Sequence, residues 1–192
     1  MSDTHLSEYE KMLAGQLYWP TDPELVALRL KQMMILEELN RTSVSQPDLR
    51  TKLLKQLFGS TGEKLVVESP FRCDYGTHIH VGENFYANAG CVILDCAEVR
   101  IGNNVMFGPQ VNIYTPGHPL EPGARISGIE FAKTITIGDN CWIGGMAILN
   151  PGVTLGKNVV VASGAVVTKS FGDNVVIGGN PARIMKEINP DI

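Results

Sequence analysis

A few side chains in this 192-residue chain are equipped for chemistry by type and position. His118 stands in "YTPGHP", between Gly117 and Pro119. Imidazole titrates close to neutrality, so it suits taking a proton from a poor nucleophile such as a hydroxyl. His78 and His80 sit two apart in "THIHVG", which on a strand puts both on one face and raises the question of a metal. Zinc needs a third ligand and an open position, and the third ligand would have to be His118. The cysteines, Cys73, Cys91, Cys96 and Cys141, contain no CxxC pair. They read as free thiols packed as small apolar groups rather than as a zinc or redox site. No cysteine or serine stands in a recognisable nucleophile–base pattern, which favours direct transfer over a covalent enzyme intermediate.

The elements that position these groups announce themselves by a period of six. Tyr75, Val81, Ala87 and Ile93 recur in step, then after a shift of two residues come Ile101, Phe107 and Ile113. The stretch "PQVNIYTPGHPLEPGARISGIEFAK" at 109–133 interrupts the beat, and Ile137, Ile143, Leu149, Leu155, Val161 and Val167 resume it, thirteen units in all. The second position of a unit is often glycine, and the fifth is small or apolar. A helix would need apolar residues three and four apart, and hairpins would need irregular turns. Six residues fit a short strand and a sharp bend, with positions one and five both pointing inward. Three such units close a triangle, and triangles stack about 4.8 Å apart, so a little over four coils make a prism roughly 20 Å tall. The fold class is therefore mainly β, a parallel β-helix. General crossover statistics favour a right-handed path, and the periodicity itself does not decide the hand.

Ahead of the prism, residues 1–60 read as a helical segment. Residues 5–17 are amphipathic. A second helix starts at Asp22-Pro23-Glu24, where a cap, a first-turn proline and a dipole-complementing acid coincide. Its apolar face is read as Leu25, Leu28, Met33, Leu36 and Leu39, thickened by Met34 and Ile35. A third segment follows "SQPD", with Leu49, Leu53, Leu54 and Leu57 on one face and Gly59 as its stop. These helices cap the prism and wall one side of a pocket. Residues 61–192 form the β-helix, with a loop insertion at about 114–134. A loop of that length in a compact protein is functional or disordered. Pro116, Pro119 and Pro122 stiffen this one, which predicts an ordered arm reaching over a neighbouring subunit.

Composition excludes several classes of function. With 16 basic and 20 acidic residues the net charge is −4, and no basic or aromatic–basic run points to nucleic acid or an anionic membrane. The chain has no membrane-length apolar stretch, and "MSDTHLSEYEK" has no signal-like core, so the expected compartment is the cytoplasm.

The segments "YEKMLAGQLY", "DPEL", "VESPFRCDYGTHIHVGENFYANAGCVILD", "NIYTPGHP", "VTLGKNVVVASGAVVTK" and "GGNPARIMKEI" together resemble the maltose/galactoside O-acetyltransferase family of hexapeptide-repeat acyltransferases over nearly the whole chain. The resemblance implies a left-handed prism, a homotrimer with active sites between prisms, and acetyl-CoA as donor to a hydroxyl of a small sugar. It implies that His118 is the catalytic general base, that Asn88 and Glu130 bind the acceptor, and, more weakly, that Asp74 does so. For CoA it implies Lys169 and Arg183 at the phosphates with Ser163 and Thr168 beside them, and Trp142 and Gly145 at the thioester end. Cations suit phosphates on chemical grounds, and a thioester needs base catalysis and an oxyanion donor rather than a metal. That donor is read as a backbone N–H near Gly144–Gly145. Cys96 stands where galactoside members carry an acidic sugar contact, with Asp95 adjacent, and "LYWPTD" and "TKSFGDN" also depart from the family pattern. Three other readings remain open: acetyl transfer to a non-sugar (xenobiotic) hydroxyl, a zinc-dependent trimer like the hexapeptide carbonic anhydrases, and an assembly scaffold.

Overall fold

The computed structural model describes residues 6–189. α1 (Glu8–Leu13) opens with a reciprocal cap: Ser7 Oγ accepts from Glu10 N–H and the Glu10 carboxylate accepts from Ser7 N–H. It is shorter than the amphipathic pattern predicts, and His5 lies outside the described residues. Gly15, at φ +70°, turns the chain out of the helix so that Tyr18 can pair with Glu130, in hydrogen bonds of 2.9 and 3.1 Å between their backbones. α2 (Pro23–Arg41) starts as its sequence predicts, with Asp22 accepting from Glu24 N–H at 2.9 Å. Its buried face is Leu25, Gln32, Leu36 and Leu39, while Met34 is exposed. The apolar run alone misplaces Met33 and Met34, because the face is set by what α2 packs against. α3 (Pro47–Leu57) buries Leu53, Leu54 and Leu57 beneath α2.

Three parallel sheets form the prism. The first face holds Ile79–Val81, Val99–Ile101, Ile135–Ile137 and Thr154–Leu155. The second holds Leu65–Val67, Phe85–Ala87, Met106–Phe107, Trp142–Ile143, Val160–Val161 and Val175–Gly179, and Ala182–Glu187 closes it antiparallel. The third holds Arg72–Cys73, Val92–Leu94, Asn112–Tyr114, Ile148–Leu149 and Val166–Val167. The residues at the start of each six-residue unit stack in columns. Val81, Ile101, Ile137 and Leu155 lie over one another, as do Ala87, Phe107, Ile143, Val161 and Ile177. The fifth positions Val105, Val111, Cys141, Ala147, Val153, Val159 and Ala165 are all at most 1% exposed, so they too face the axis.

The periodic reading misses both ends. Cys73, not Tyr75, is the residue that stacks on Ile93, and Tyr75 belongs to a separate cluster with Met12, Tyr18, Leu25, Cys96, Ala97 and Ala132. At the far end the spacing tightens to Phe171, which pairs with Leu155, and the beat then runs on to Ile177. Both departures occur where the prism must meet something other than another regular coil.

The three edges of the prism differ. Between the first and second faces, Asn84, Asn104, Asn140, Asn158 and Asn174 all sit at positive φ of 55–59°. Each amide donates to the next asparagine's oxygen, at 2.6–3.1 Å. Asparagine tolerates this left-handed turn better than other side chains, and stacking lets each amide satisfy its neighbour. Between the third and first faces the chain is irregular. There the two-residue shift brings in Asp95 and Cys96, and the arm leaves after Thr115.

Candidate active site

The arm is ordered by its own packing. Pro116–Gly117 pairs antiparallel with Phe131–Ala132, and Gly117 lies under the Phe131 ring, where a Cβ would come within 2.7 Å of Cζ. Beyond it, α4 (Pro122–Ser127) makes fewer than two turns and ends at Gly128, φ +88°. Leu120 and Ile126 at the tip are 86% and 83% exposed.

His118 sits at the base of this arm with its side chain 45% exposed. Its Nδ1 lies 3.0 Å from the carbonyl of Ile129. A carbonyl only accepts, so Nδ1 carries the hydrogen and Nε2 presents a lone pair. Nε2 is 3.7 Å from Glu130 Oε1, beyond a hydrogen bond yet near enough for the carboxylate to steady an imidazolium. Glu130 is held in turn: its Oε2 accepts from the Tyr18 hydroxyl at 2.7 Å.

Tyr18 leads inward to Asp74. It is fully buried, and burial pushes its hydroxyl pKa far up, so it stays a donor. The Cys96 thiol is its other polar neighbour, and that thiol lies 3.6 Å from Asp74 Oδ2. Burial raises the Asp74 carboxyl, while the Cys96 contact and the charges of Arg29 and Arg72 pull it back down. Behind it Asp95, fully buried, accepts the backbone N–H groups of Asp74 and Tyr75 through Oδ1, each at 2.9 Å. Its Oδ2 is buried without a partner, and burial pushes its pKa up to about 6.

The expected site residues fall on two edges. His118, Glu130 and Asp74 share the third–first edge, and Thr168 and Lys169 lie at its lower end, where the Lys169 ammonium sits 5.5 Å from the centre of the Phe171 ring. Asn88, Gly145 and Ser163 lie on the second–third edge, where Asn88, Gly108 and Gly144 donate their backbone N–H groups to Phe107, Ile143 and Val161 on successive coils. Asn88 Oδ1 takes the Ala89 N–H at 2.8 Å, which leaves its amide donors for a ligand. Trp142 stands half-exposed on the second face between Met106 and Val160. Arg183 is paired with Gly178 in the closing hairpin and donates to Ala182 O at 2.9 Å. Within one chain the structure thus joins His118 to Glu130 and, through Tyr18 and Cys96, to Asp74, but sets Asn88, Gly145 and Ser163 on another edge, Trp142 on the second face and Arg183 in the closing hairpin. The cause is the repeat itself: bends that follow different faces emerge at different edges.

His78 and His80 do not share a ligand site. His78 is buried, with Nδ1 2.7 Å from Asp95 O and Nε2 3.2 Å from the Tyr9 hydroxyl. His80 points outward to Ser60 Oγ at 2.9 Å and Glu98 Oε2 at 2.7 Å. Among the described residues, no three His, Cys, Asp or Glu side chains are grouped to hold a metal. All the cysteines are free and buried.

Sequence reasoning named Asp95 only as the neighbour of Cys96, and it passed over Tyr18 and Arg29, whose guanidinium donates to the Tyr75 hydroxyl at 2.8 Å. The signal for Asp95 was present, since it lies inside the two-residue shift between Ile93 and Ile101.

A three-faced stack of six-residue units, bearing a histidine on an arm that interrupts it, defines a hexapeptide-repeat acyltransferase. Residues 11–62 match the maltose acetyltransferase hexapeptide capping motif, and residues 134–169 match the bacterial transferase hexapeptide model of six repeats. A maltose O-acetyltransferase structure from Clostridium difficile 630 is 47% identical, with a TM-score of 0.95 over 96% of this chain and 98% of that one. A galactoside acetyltransferase solved in complex with coenzyme A is 38% identical, with a TM-score of 0.94 over 97% of this chain and 94% of that one. The galactoside O-acetyltransferase of Escherichia coli K12 is 40% identical over 94% of this chain and 89% of its own length. The chain belongs to the maltose/galactoside O-acetyltransferase family of hexapeptide-repeat acyltransferases.

Proposed function

We propose that this protein transfers an acetyl group from acetyl-CoA to a hydroxyl of a small sugar. The observation that carries the reading is His118: Nδ1 is tied to a backbone carbonyl, and Nε2 is open at the base of an ordered arm beside an anchored carboxylate. The acceptor hydroxyl gives its proton to Nε2 as its oxygen attacks the thioester carbonyl. The tetrahedral intermediate then collapses, the C–S bond breaks, and the imidazolium returns the proton to the leaving thiolate. Of the two candidate oxyanion donors, Gly144 N–H is already bonded to Val161 O, so Gly145 N–H takes that role.

Asn88, Glu130 and Asp74 bind the acceptor. Trp142, Gly145, Ser163, Thr168, Lys169 and Arg183 bind CoA, with the two cations at its phosphates. Two half-sites on two edges of one prism support a homotrimer. The third face lies between those edges, so three copies with that face turned inward set the His118 edge of one against the Asn88 edge of the next. The exposed apolar tip, Leu120 and Ile126, fits an arm that lies on a neighbour. Among the described residues no helix is long and apolar enough to cross a membrane. Buried free thiols and an acetyl-CoA donor fit the cytoplasm.

Thiol release from acetyl-CoA, followed against maltose, glucose and galactosides with a no-acceptor control, tests the reading. Sugar-dependent release that falls roughly 10²–10⁴-fold in a folded His118→Ala variant is the expected result. Sugar-independent silence with CoA still bound would move the acceptor to non-sugar hydroxyls. A folded His118→Ala variant with unchanged turnover would remove the base from the mechanism.

A further inference from the structure

We infer that Tyr18 is a positioning residue for the transfer reaction, the hub through which the N-terminal helical segment holds both the base and the acceptor floor in register. The inference rests on the reading of His118 as the base and Glu130 as its partner. Four observations carry it. The Tyr18 hydroxyl donates to Glu130 Oε2 at 2.7 Å, while Glu130 Oε1 is the atom that faces His118 Nε2. The backbones of Tyr18 and Glu130 are also bonded to each other in both directions, at 2.9 and 3.1 Å. These bonds fasten the returning strand of the arm to the segment between α1 and α2. Toward the prism, the same hydroxyl neighbours Cys96, whose thiol reaches Asp74 Oδ2. Tyr18 itself is 0% exposed within the cluster of Met12, Leu25, Tyr75, Cys96, Ala97 and Ala132, so its ring has no freedom to swing away.

The result is one continuous path: His118, Glu130, Tyr18, Cys96, Asp74. Glu130 has two oxygens and two tasks, and the division of labour depends on Tyr18 occupying one of them. Without that donor, Oε2 loses its buried partner, and the imidazole becomes the nearest protein group able to pair with a carboxylate that is 21% exposed. Glu130 would then close on His118, stabilise the imidazolium and draw Nε2 away from the acceptor. The capping segment thereby acquires a catalytic reason to precede the prism: it does not only cover the first coil, it sets the geometry of an arm more than a hundred residues later in sequence. Tyr18 touches no reacting atom in this account. It acts through Glu130.

The test is the Tyr18→Phe variant of the full chain, alone and in a Glu130→Gln background, with His118→Ala as control. Phenylalanine keeps the buried ring and removes the hydroxyl. Expected are a kcat roughly tenfold lower, the scale of a lost charge-assisted hydrogen bond, an unchanged KM for acetyl-CoA, and an acidic limb of the pH–rate profile moved to higher pH. In the Glu130→Gln background the same substitution should cost nothing further and leave the limb in place, because the residue it acts through is gone. A kcat within about twofold of wild type, or a loss that multiplies with that of Glu130→Gln, overturns the inference. A purely structural role would lower the melting temperature without moving the pH limb, and that outcome also overturns it. Turnover retained by folded His118→Ala brings down the underlying base assignment instead, so the two failures are told apart.

Discussion

Two edges of the same prism, built from the same six-residue unit, behave in opposite ways. Along the first–second edge five successive bends are solved identically, by an asparagine at positive φ in a ladder of four amide bonds. Along the third–first edge no two bends match. One holds Asp74 and Tyr75, the next Asp95 to Glu98, the third releases the arm with His118, the fourth turns through Pro151 and Gly152, and the last carries Thr168 and Lys169. Repetition satisfies each backbone and side-chain group with a copy of itself, and leaves nothing over for a ligand. Irregularity leaves groups that must find other partners: a thiol against a carboxylate, a buried unpaired oxygen, an imidazole open on one side. The proposed base stands where the repeat fails, because irregular bends leave polar groups that no neighbouring coil pairs.

The largest effect separating the edges should come from Asp95. Its folded pKa, about 6, lies above its ordinary value of 3.8, so the folded state prefers the protonated acid. The contribution is therefore fully present below pH 3.8 and is lost as pH rises through about 6. At about 1.4 kcal/mol per unit this amounts to roughly 3 kcal/mol across that window. Urea unfolding of wild type and Asp95→Asn over pH 3.5–7.5 should show a falling difference that flattens above about 6.5. A difference that stays level with pH would mean that Asp95 ionises freely.

Breaking the regular edge should be somewhat milder and should leave turnover alone. Asn140→Ala removes one ladder donor and one acceptor and puts alanine at φ +59°. A loss of about 2 kcal/mol is expected, with kcat unchanged. Asn140→Gly relieves the backbone but not the ladder, so thermal melts of the pair divide the two contributions.

The smallest effect in free energy is aimed at the arm. Gly117→Ala forces a methyl group against the Phe131 ring and tilts the hairpin that carries His118 and Glu130. Turnover should drop roughly tenfold with little change in melting temperature, and Phe131→Leu in the same chain should restore part of it. A Gly117→Ala enzyme with normal turnover would show that the arm tolerates a shift at its base.

Much of the fold was legible in the sequence. Ile101, Phe107, Ile137, Ile143 and Leu155 stack as their spacing requires, because a short period leaves only one way to bury every sixth residue. The cap at Asp22 is local and was equally readable from its own neighbours, while the reciprocal cap at Ser7 emerged only in the structure. Met34 and Tyr75 were misread for one reason: their burial depends on contacts between segments distant in sequence. Of the site, His118 was marked by the interruption and Asp95 by the shift, although the shift spoke only once the structure showed what filled it.

By itself the sequence determined the period, hence a three-sided prism, and the place where the prism is broken, hence where a histidine could be carried clear of it. Those follow from spacing along one strand path, which is a local property of the chain. Only the tertiary structure decided that Tyr18 meets Glu130, that Cys96 meets Asp74, and that the expected site residues divide between two edges. Such pairings join residues up to 112 positions apart, and no local rule of backbone geometry or side-chain period reaches that far.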